Sequence, residues 1–378
     1  MSKTIVSIIS EQTIPNYLLI REMACDGDSL LMITSEKVHE RIGWMVNALK
    51  TFTKIHFLVR IHTIDEENWE GMIDVTRAIL NTSEVYHVNL TGGTKYMSLA
   101  MYHVFSEFNS CFYYIPYPKN CFFTLSGIVS RESLTSITTR ISIDEYLANY
   151  NIIVKKSSCL FDTLEVAGRM MRFFTGPNGF NQYDYEIIDK LRAYRDRGVV
   201  IDLVETKTDE LKRPQIANLR RFLEKIDFPL KDERYLTANE TCFLTGGWFE
   251  EYCFFYIKNQ LDPQDLAIGV KTVRTQQTEQ NELDVVFVYG NKLFVIECKT
   301  GISGRRFFHE TVYKATALKE SLLGLSGHTF LLSLNRDKDE TLKKMADNMG
   351  ISYYERSFFT QPEAFKSIVE EIKLRAQD

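Results

Sequence analysis

Two α/β domains joined by a helical connector are what the chain predicts, and three observations carry that prediction. Residues 1–145 alternate short β-branched or aromatic runs with stretches that space apolar residues as a helix does. Residues 146–235 turn mostly helical and highly charged. Residues 236–378 run helix, hairpin, helix, strand and closing helices. In the first part, "TIVSIIS", "SLLMITS", "KIHFLVRI", "EVYHVNL" and "CFYYIPY" read as strands. Between them, "EKVHERIGWMVNALK", "EENWEGMIDVTRAIL" and "TKYMSLAMYHVFSEF" read as helices. Such alternation predicts a mostly parallel sheet with helices on both faces. The middle part breaks at "TGPNG" before "YDYEIIDKLRAYRDRG" and "QIANLRRFLEKIDF", whose balanced charges read as a solvated helical face. In the last part "GGWFEEYCFFYIKNQ" is a helix, "NELDVVFVYGNKLFVIECKT" a hairpin, residues 307–322 a second helix and "HTFLLSL" a strand.

The bulk properties narrow the class. A chain of 378 residues has room for two or three domains, each with a core of its own. A net charge of −5 excludes a uniformly basic coat for nucleic acid and leaves a local basic groove open. The cysteines at 25, 111, 121, 159, 242, 253 and 298 form no CxxC pair and no zinc spacing. Most lie in apolar runs, so they read as reduced core residues of a cytoplasmic protein. The opening "MSKTIVSIIS" lacks the features of a signal peptide, and no apolar run is long enough to span a bilayer.

The hairpin is the first stretch that carries chemistry. Gly290-Asn291 is a two-residue turn pair. A turn centred there sets Val288 opposite Leu293, Val286 opposite Val295 and Asp284 opposite Glu297, with Lys299 on the same face as Glu297. Cys298 then points into the core. Two carboxylates side by side repel, so a cation belongs between them. Lys299 supplies part of that charge, and a divalent Mg²⁺ or Mn²⁺ suits the oxygen ligands for the rest. Such a site can activate water and neutralise charge on a phosphodiester. The plainer alternative is an inter-strand salt bridge.

Asp284, then Glu297-x-Lys299 across a hairpin and after a glutamate-bearing helix, resembles the PD-(D/E)XK nuclease superfamily. The resemblance implies a restriction-endonuclease-like α/β domain. It makes Asp284 and Glu297 metal-binding acids, Lys299 the catalytic lysine and Glu250 the helix glutamate, with Glu251 as the alternative. Leu283 stands where the motif's proline would be. Glu282 is read as pointing to the opposite face and is left out. Tyr313 and Lys314 are candidates for substrate-backbone contact or for helix packing. Trp248, Phe307 and Phe308 read as core sooner than as base-stacking residues.

The second informative stretch is "VNLTGGTKYMSLAMY". A strand ends at Leu90, and Thr94 can cap a helix from Lys95. Gly92 and Gly93 would let backbone N–H groups face an anion, with Thr91, Thr94 and Lys95 adding hydroxyls and charge. Neither a dinucleotide fingerprint nor a Walker loop fits. A plain strand-to-helix turn is the alternative.

An α/β N-terminal domain in which "TGGTK" opens a late helix resembles the Rossmann-like CARF domains of CRISPR-associated proteins. With "GGWFEEY", "NELD" and "IECKTG" following in that order, the whole chain resembles the ancillary nucleases of type III CRISPR systems. That resemblance divides it into a CARF sensing domain (1–145), a connector (146–235) and a nuclease domain (236–378). It implies a homodimer that binds a cyclic oligoadenylate, cyclic tetra-adenylate, across its two-fold axis. It further implies metal-dependent cleavage of single-stranded DNA and RNA, with nicking of duplex DNA as an added action, in antiviral defence. Thr91, Gly92, Gly93, Thr94 and Lys95 would contact the activator. Ser10, Gln12 and Thr13 after the first strand, with Thr34 and Ser35 after the second, join them at the carboxyl edge of the sheet. A constitutive repair or restriction nuclease with an N-terminal dimerisation domain is the competing expectation. So is a nucleotide receptor whose nuclease domain is inactive.

Overall fold

The five N-terminal runs form strands β1 (Thr4–Ile8), β2 (Ser29–Thr34), β3 (Leu58–Thr63), β4 (Tyr86–Asn89) and β5 (Ser110–Tyr114) in a computed structural model. It describes residues 3–116, 119–125, 133–177, 179–204, 213–274, 281–300, 327–335, 340–361 and 363–377. The strands order as β3-β2-β1-β4-β5, all parallel. Helices α1 (Ile14–Met23), α2 (Glu40–Phe52), α3 (Trp69–Ile79) and α4 (Lys95–Phe105) connect them. The antiparallel strands β6 (Cys121–Leu125) and β7 (Ser133–Ser136) extend the sheet beyond β5. Buried runs such as Leu30–Ile33 on β2 fit a sheet covered on both faces. Helix α1 is absent from the sequence-based assignment because every residue from Ile14 to Ile20 is buried, so no polar face marks the helical period.

The connector does not stand apart. After α5 (Ile143–Ala148), strand β8 (Ile152–Ser157) lies inside the segment read as helical, yet it is the edge of the C-terminal sheet. Next come α6 (Leu164–Thr175), α7 (Gln182–Arg195), β9 (Ile201–Asp202), α8 (Arg213–Lys225), β10 (Tyr235–Leu236), α9 (Ala238–Cys242) and α10 (Trp248–Leu261). The C-terminal sheet adds β11 (Asp265–Arg274), β12 (Asn281–Tyr289), β13 (Lys292–Lys299), β14 (His328–Ser333) and β15 (Ser352–Tyr354), in the order β15-β14-β13-β12-β11-β8. Helices α11 (Glu340–Asn348) and α12 (Ala364–Gln377) follow the last two parallel strands.

Two apolar cores hold these parts together. One runs from α6, α7 and α8 through Trp248 and Phe249 to Phe287, Phe294 and Phe330 on one face of the C-terminal sheet. Trp248 is fully buried against Phe174, as its core reading expected. The other face, with Val286, Val288, Leu293 and Val295, joins the core of the N-terminal domain through Ile141, Ile143 and Tyr146. The cysteines divide differently from expectation: Cys253 and Cys298 are buried, while Cys25 and Cys242 are exposed. Among the described residues no helix is long and apolar enough to cross a membrane.

Candidate active site

The hairpin begins with its turn. Gly290 and Asn291 have φ of 60° and 61°, the left-handed pair that a tight two-residue hairpin demands. The ladder runs in the expected register, with Val288 opposite Leu293 and Val286 opposite Val295, as far as Val285 opposite Ile296. Beyond it the Asp284 carboxylate takes over the pairing: Oδ2 accepts the Cys298 N–H at 2.7 Å and the Lys299 ammonium at 3.0 Å. Lys299 also stands 3.2 Å from Glu297 Oε2. These side chains are 13% (Asp284), 1% (Glu297) and 17% (Lys299) exposed, so this ion network is largely shielded from water. Burial opposes the Lys299 ammonium, but the charges of Asp284 and Glu297 outweigh it and hold its pKa well above the ordinary lysine value. Cys298 faces away into the core, its Sγ 3.6 Å from that of Cys253.

Glu250, in the first turn of α10, belongs to the same field of charge. Burial raises its pKa to about 8, Asp284 adds to this, Lys299 opposes it, and Glu282 and Glu297 contribute further. Glu251 serves elsewhere: it accepts the backbone N–H groups of Leu160 and Phe161, tying down the loop before α6. Glu282, set aside in the sequence reading, is felt at Glu250, where it adds to the rise in pKa. The residues 301–326, including Phe307, Phe308, Tyr313 and Lys314, lie outside the described residues.

The donors fit a hard divalent cation, because Glu250, Glu282, Asp284 and Glu297 bring more carboxylate charge than Lys299 offsets. Among the described residues, no three His, Cys, Asp or Glu side chains converge on one ligation point as placed. Lys299 bridges Asp284 and Glu297 instead.

The second candidate site lies on the N-terminal sheet. β1 is hydrogen-bonded to β2 on one side and to β4 on the other. The chain reverses direction of travel across the sheet between β1 and β4, and such a switch point opens a crevice beyond the strand ends. The loops after β1 and β4 meet there. Asn16 Nδ2 donates to Ile8 O at 2.8 Å, and Asn89 Nδ2 donates to Asn16 Oδ1 at 2.8 Å. Gly92 passes so close that a Cβ would lie 1.9 Å from Ile8 O, and Gly93 has φ +74°. Gly92→Ala is therefore expected to destabilise this domain by about 2 kcal/mol or more. Thermal unfolding reads this as a lowered midpoint; an unmoved midpoint would mean that the loop has slack to yield.

The candidate residues of this site divide by exposure. Thr94 caps α4 by accepting the Met97 N–H at 3.1 Å, and Lys95 follows it on the surface. Ser10 and Gln12 are partly exposed. Thr91, read as a hydroxyl donor to a ligand, instead donates to Asn89 Oδ1 at 2.6 Å and accepts the Ile115 N–H at 2.8 Å. Thr13, Thr34 and Ser35 are buried. Thr13 bonds Asn149 O at 3.3 Å and Thr34 bonds Ser35 O at 3.0 Å, so these hydroxyls brace the loops. The buried pair Asn16 and Asn89 was missed, since asparagines in an apolar helix and at a strand end give no pattern of their own.

A joint ties the hairpin tip to the segment that follows the N-terminal sheet. The hairpin-tip residue Asn291 is 1% exposed although it sits in a turn. Its Nδ2 donates to Asn120 Oδ1 at 2.7 Å and to Thr139 O at 2.9 Å, while its Oδ1 accepts from Ile141 N at 3.2 Å and from Gln264 Nε2 at 2.8 Å. Asn120 starts the strand pair that follows Ile115, which Thr91 holds.

Comparison with known proteins matches both halves of the chain. A family model described as the Card1 CARF domain matches residues 4–146, and one described as Card1-like, endonuclease domain matches residues 237–357. Protein VC1899 from Vibrio cholerae shares the fold with a TM-score of 0.77 at 17% identity, over 100% of this chain and 99% of its own. Can2 from Sulfobacillus thermosulfidooxidans, solved with cyclic tetra-adenylate, gives 0.74 at 20% identity, covering 99% of each. A type III CRISPR defence DNA nuclease activated by cyclic oligoadenylate gives 0.53 at 13% identity, over 98% of this chain and 52% of that one. No curated protein matches the sequence.

Proposed function

The chain belongs to the proteins that join a Card1 CARF domain to a Card1-like endonuclease domain, and on that premise we propose that it is a metal-dependent nuclease switched on by cyclic tetra-adenylate. Its substrates are single-stranded DNA and RNA. The observation that carries the reading is the gathering of Asp284, Glu297, Lys299 and Glu250 at the open end of one hairpin. This arrangement supports the PD-(D/E)XK assignment.

Asp284, Glu297 and Glu250 would hold Mg²⁺ or Mn²⁺, with Glu282 adding negative charge at the rim. The cation, when bound, makes its water acidic and offsets charge on the phosphodiester. Lys299, kept as an ammonium by its two carboxylate neighbours, donates hydrogen bonds to the same oxygens. Cys298 anchors Asp284 through its backbone N–H, so the acid is oriented before substrate arrives.

The activator is cyclic tetra-adenylate, the ligand that Can2 holds in its solved complex. The first turn of α4 leaves N–H groups outside the helix's own bonds, and Lys95 supplies a cation beside them. Ser10 and Gln12 close the crevice from β1. A homodimer is supported by the apolar stripe Tyr96, Leu99 and Tyr102 on the outer face of α4, beside Val75 and Ile79 of α3. A second copy covering it would set two glycine loops around one ring. The ligand shifts the equilibrium toward the cleaving arrangement only as far as it binds that arrangement more tightly.

Lys95→Ala is expected to raise the half-maximal activator concentration about tenfold or more, with the residual rate without activator unchanged. Titration of cleavage against cyclic tetra-adenylate checks this. An unmoved midpoint would remove Lys95 and its loop from the sensor.

A further inference from the structure

The middle segment reaches into the nuclease site. α7 packs against α9 and the turn Phe243–Gly247 that leads into α10. From α7, Arg192 Nη2 donates to Thr300 O at 3.2 Å, and Thr300 directly follows Lys299 on the catalytic strand. Arg192 Nη1 pairs with Asp189 one turn back. Arg195 lies one turn further along the same helix, exposed, and its ion partner is its own neighbour Asp196 at 2.9 Å.

The electrostatics agree with this placement. Burial pulls the Arg192 guanidinium below its ordinary pKa, Asp189 opposes the shift, and Arg195 adds to it, so the two guanidinium groups feel each other. Arg195 also opposes the effect of burial and Glu250 on the Cys242 thiol, where Glu282 is felt as well. Arg192 therefore borders the strand end that carries Lys299, and Arg195 stands one helical turn from Arg192. Each guanidinium has one carboxylate neighbour, Asp189 for Arg192 and Asp196 for Arg195, and a guanidinium has donors enough to take a phosphate oxygen beside it. Exposed pairs such as Arg195–Asp196 contribute little and exchange readily.

We propose that Arg192 and Arg195 form a phosphodiester-binding step that lays the backbone of a single-stranded nucleic acid against the acidic cluster. This rests on the nuclease reading and adds the residues that hold its substrate. The planar fork of a guanidinium matches two phosphate oxygens at once. A polyanion approaching Glu250, Glu282, Asp284 and Glu297 needs such a counterweight. The charged face of α7, read from sequence as solvent-facing, gains a purpose. Its neutral alternative is that the arginines only balance the carboxylates.

The test measures binding of a fluorescein-labelled single-stranded oligonucleotide to the Glu297→Gln protein with Mn²⁺ and cyclic tetra-adenylate, at several salt concentrations. Adding Arg192→Gln and Arg195→Gln is expected to weaken binding about tenfold or more. The slope of log affinity against log salt should shrink by about 0.7 for each phosphate that the arginines no longer neutralise. In the cleaving protein the same pair should raise KM and leave kcat nearly unchanged. Arg195→Gln alone, on an exposed side chain, should show part of both effects without loss of fold. Unchanged affinity and slope in a protein that still cuts would overturn the clamp and leave the nuclease standing. Altered Mn²⁺ affinity with unchanged oligonucleotide binding would assign the arginines to the carboxylates and overturn it too. A wild-type protein that neither binds nor cuts would overturn the nuclease reading and the clamp with it.

Discussion

Glu297→Gln is expected to lower cleavage by about 10³-fold or more while the protein stays folded and still binds cyclic tetra-adenylate. Glu297 is 1% exposed and 3.2 Å from Lys299. Glutamine keeps its volume and one acceptor oxygen but removes the charge that a cation and the ammonium both answer to. Lys299 remains paired with Asp284 at 3.0 Å, so no buried cation is stranded. Lys299→Ala would also stop cleavage, yet it leaves two shielded carboxylates without their partner and costs about 3 kcal/mol of stability. The glutamine variant is the cleaner test. Initial rates on a labelled strand, beside thermal unfolding of the same samples, decide the matter. Retention of more than about a tenth of the wild-type rate would return Glu297 and Lys299 to an ordinary salt bridge.

Asn291→Ala should destabilise the protein by about 3 kcal/mol. Alanine at φ 61° is strained, at a cost of about 1 kcal/mol. The buried Ile141 N–H and the half-buried Asn120 and Gln264 amides, left without their partner, add about 2 kcal/mol between them. Asn291→Gly relieves the strain and isolates the effect of removing the side chain. Because Asn291 ties the hairpin to Asn120, Thr139 and Ile141 beside the N-terminal domain, the glycine variant should also change control. Its ratio of cleavage rates with and without activator is expected to fall about tenfold, a normal size for coupling between sites. The basal rate serves as the internal reference. If the ratio held while the unfolding midpoint dropped, Asn291 would be a structural bolt and coupling would run by another route.

How far the sequence spoke for itself depends on the range of the interaction. The hairpin was legible because its information is local. Gly290-Asn291 demands positive φ, and alternation then brings Asp284, Glu297 and Lys299 together and sends Cys298 inward. The parallel sheet was legible because β-branched runs alternate with helical spacing. Strand β8 was not: Ile152–Ser157 finds its partner in β11, more than a hundred residues on, and looks alone like any short apolar run. Thr34 closes β2 and does not lie in the loop after it, and burial of Thr13, Thr34 and Ser35 depends on what packs over them. Arg192 is the same lesson at the end of the hairpin. Nothing in its own helix says that the acceptor 3.2 Å away is Thr300.

The measurement that tests the central claim most directly is a time course of cleavage on labelled single-stranded DNA and RNA. It is run with Mn²⁺ or Mg²⁺, with and without cyclic tetra-adenylate. Cutting that needs both the metal and the cyclic nucleotide is the predicted result. Full-rate cutting without the nucleotide would contradict the switch, and no cutting by folded protein under any of these conditions would contradict the nuclease.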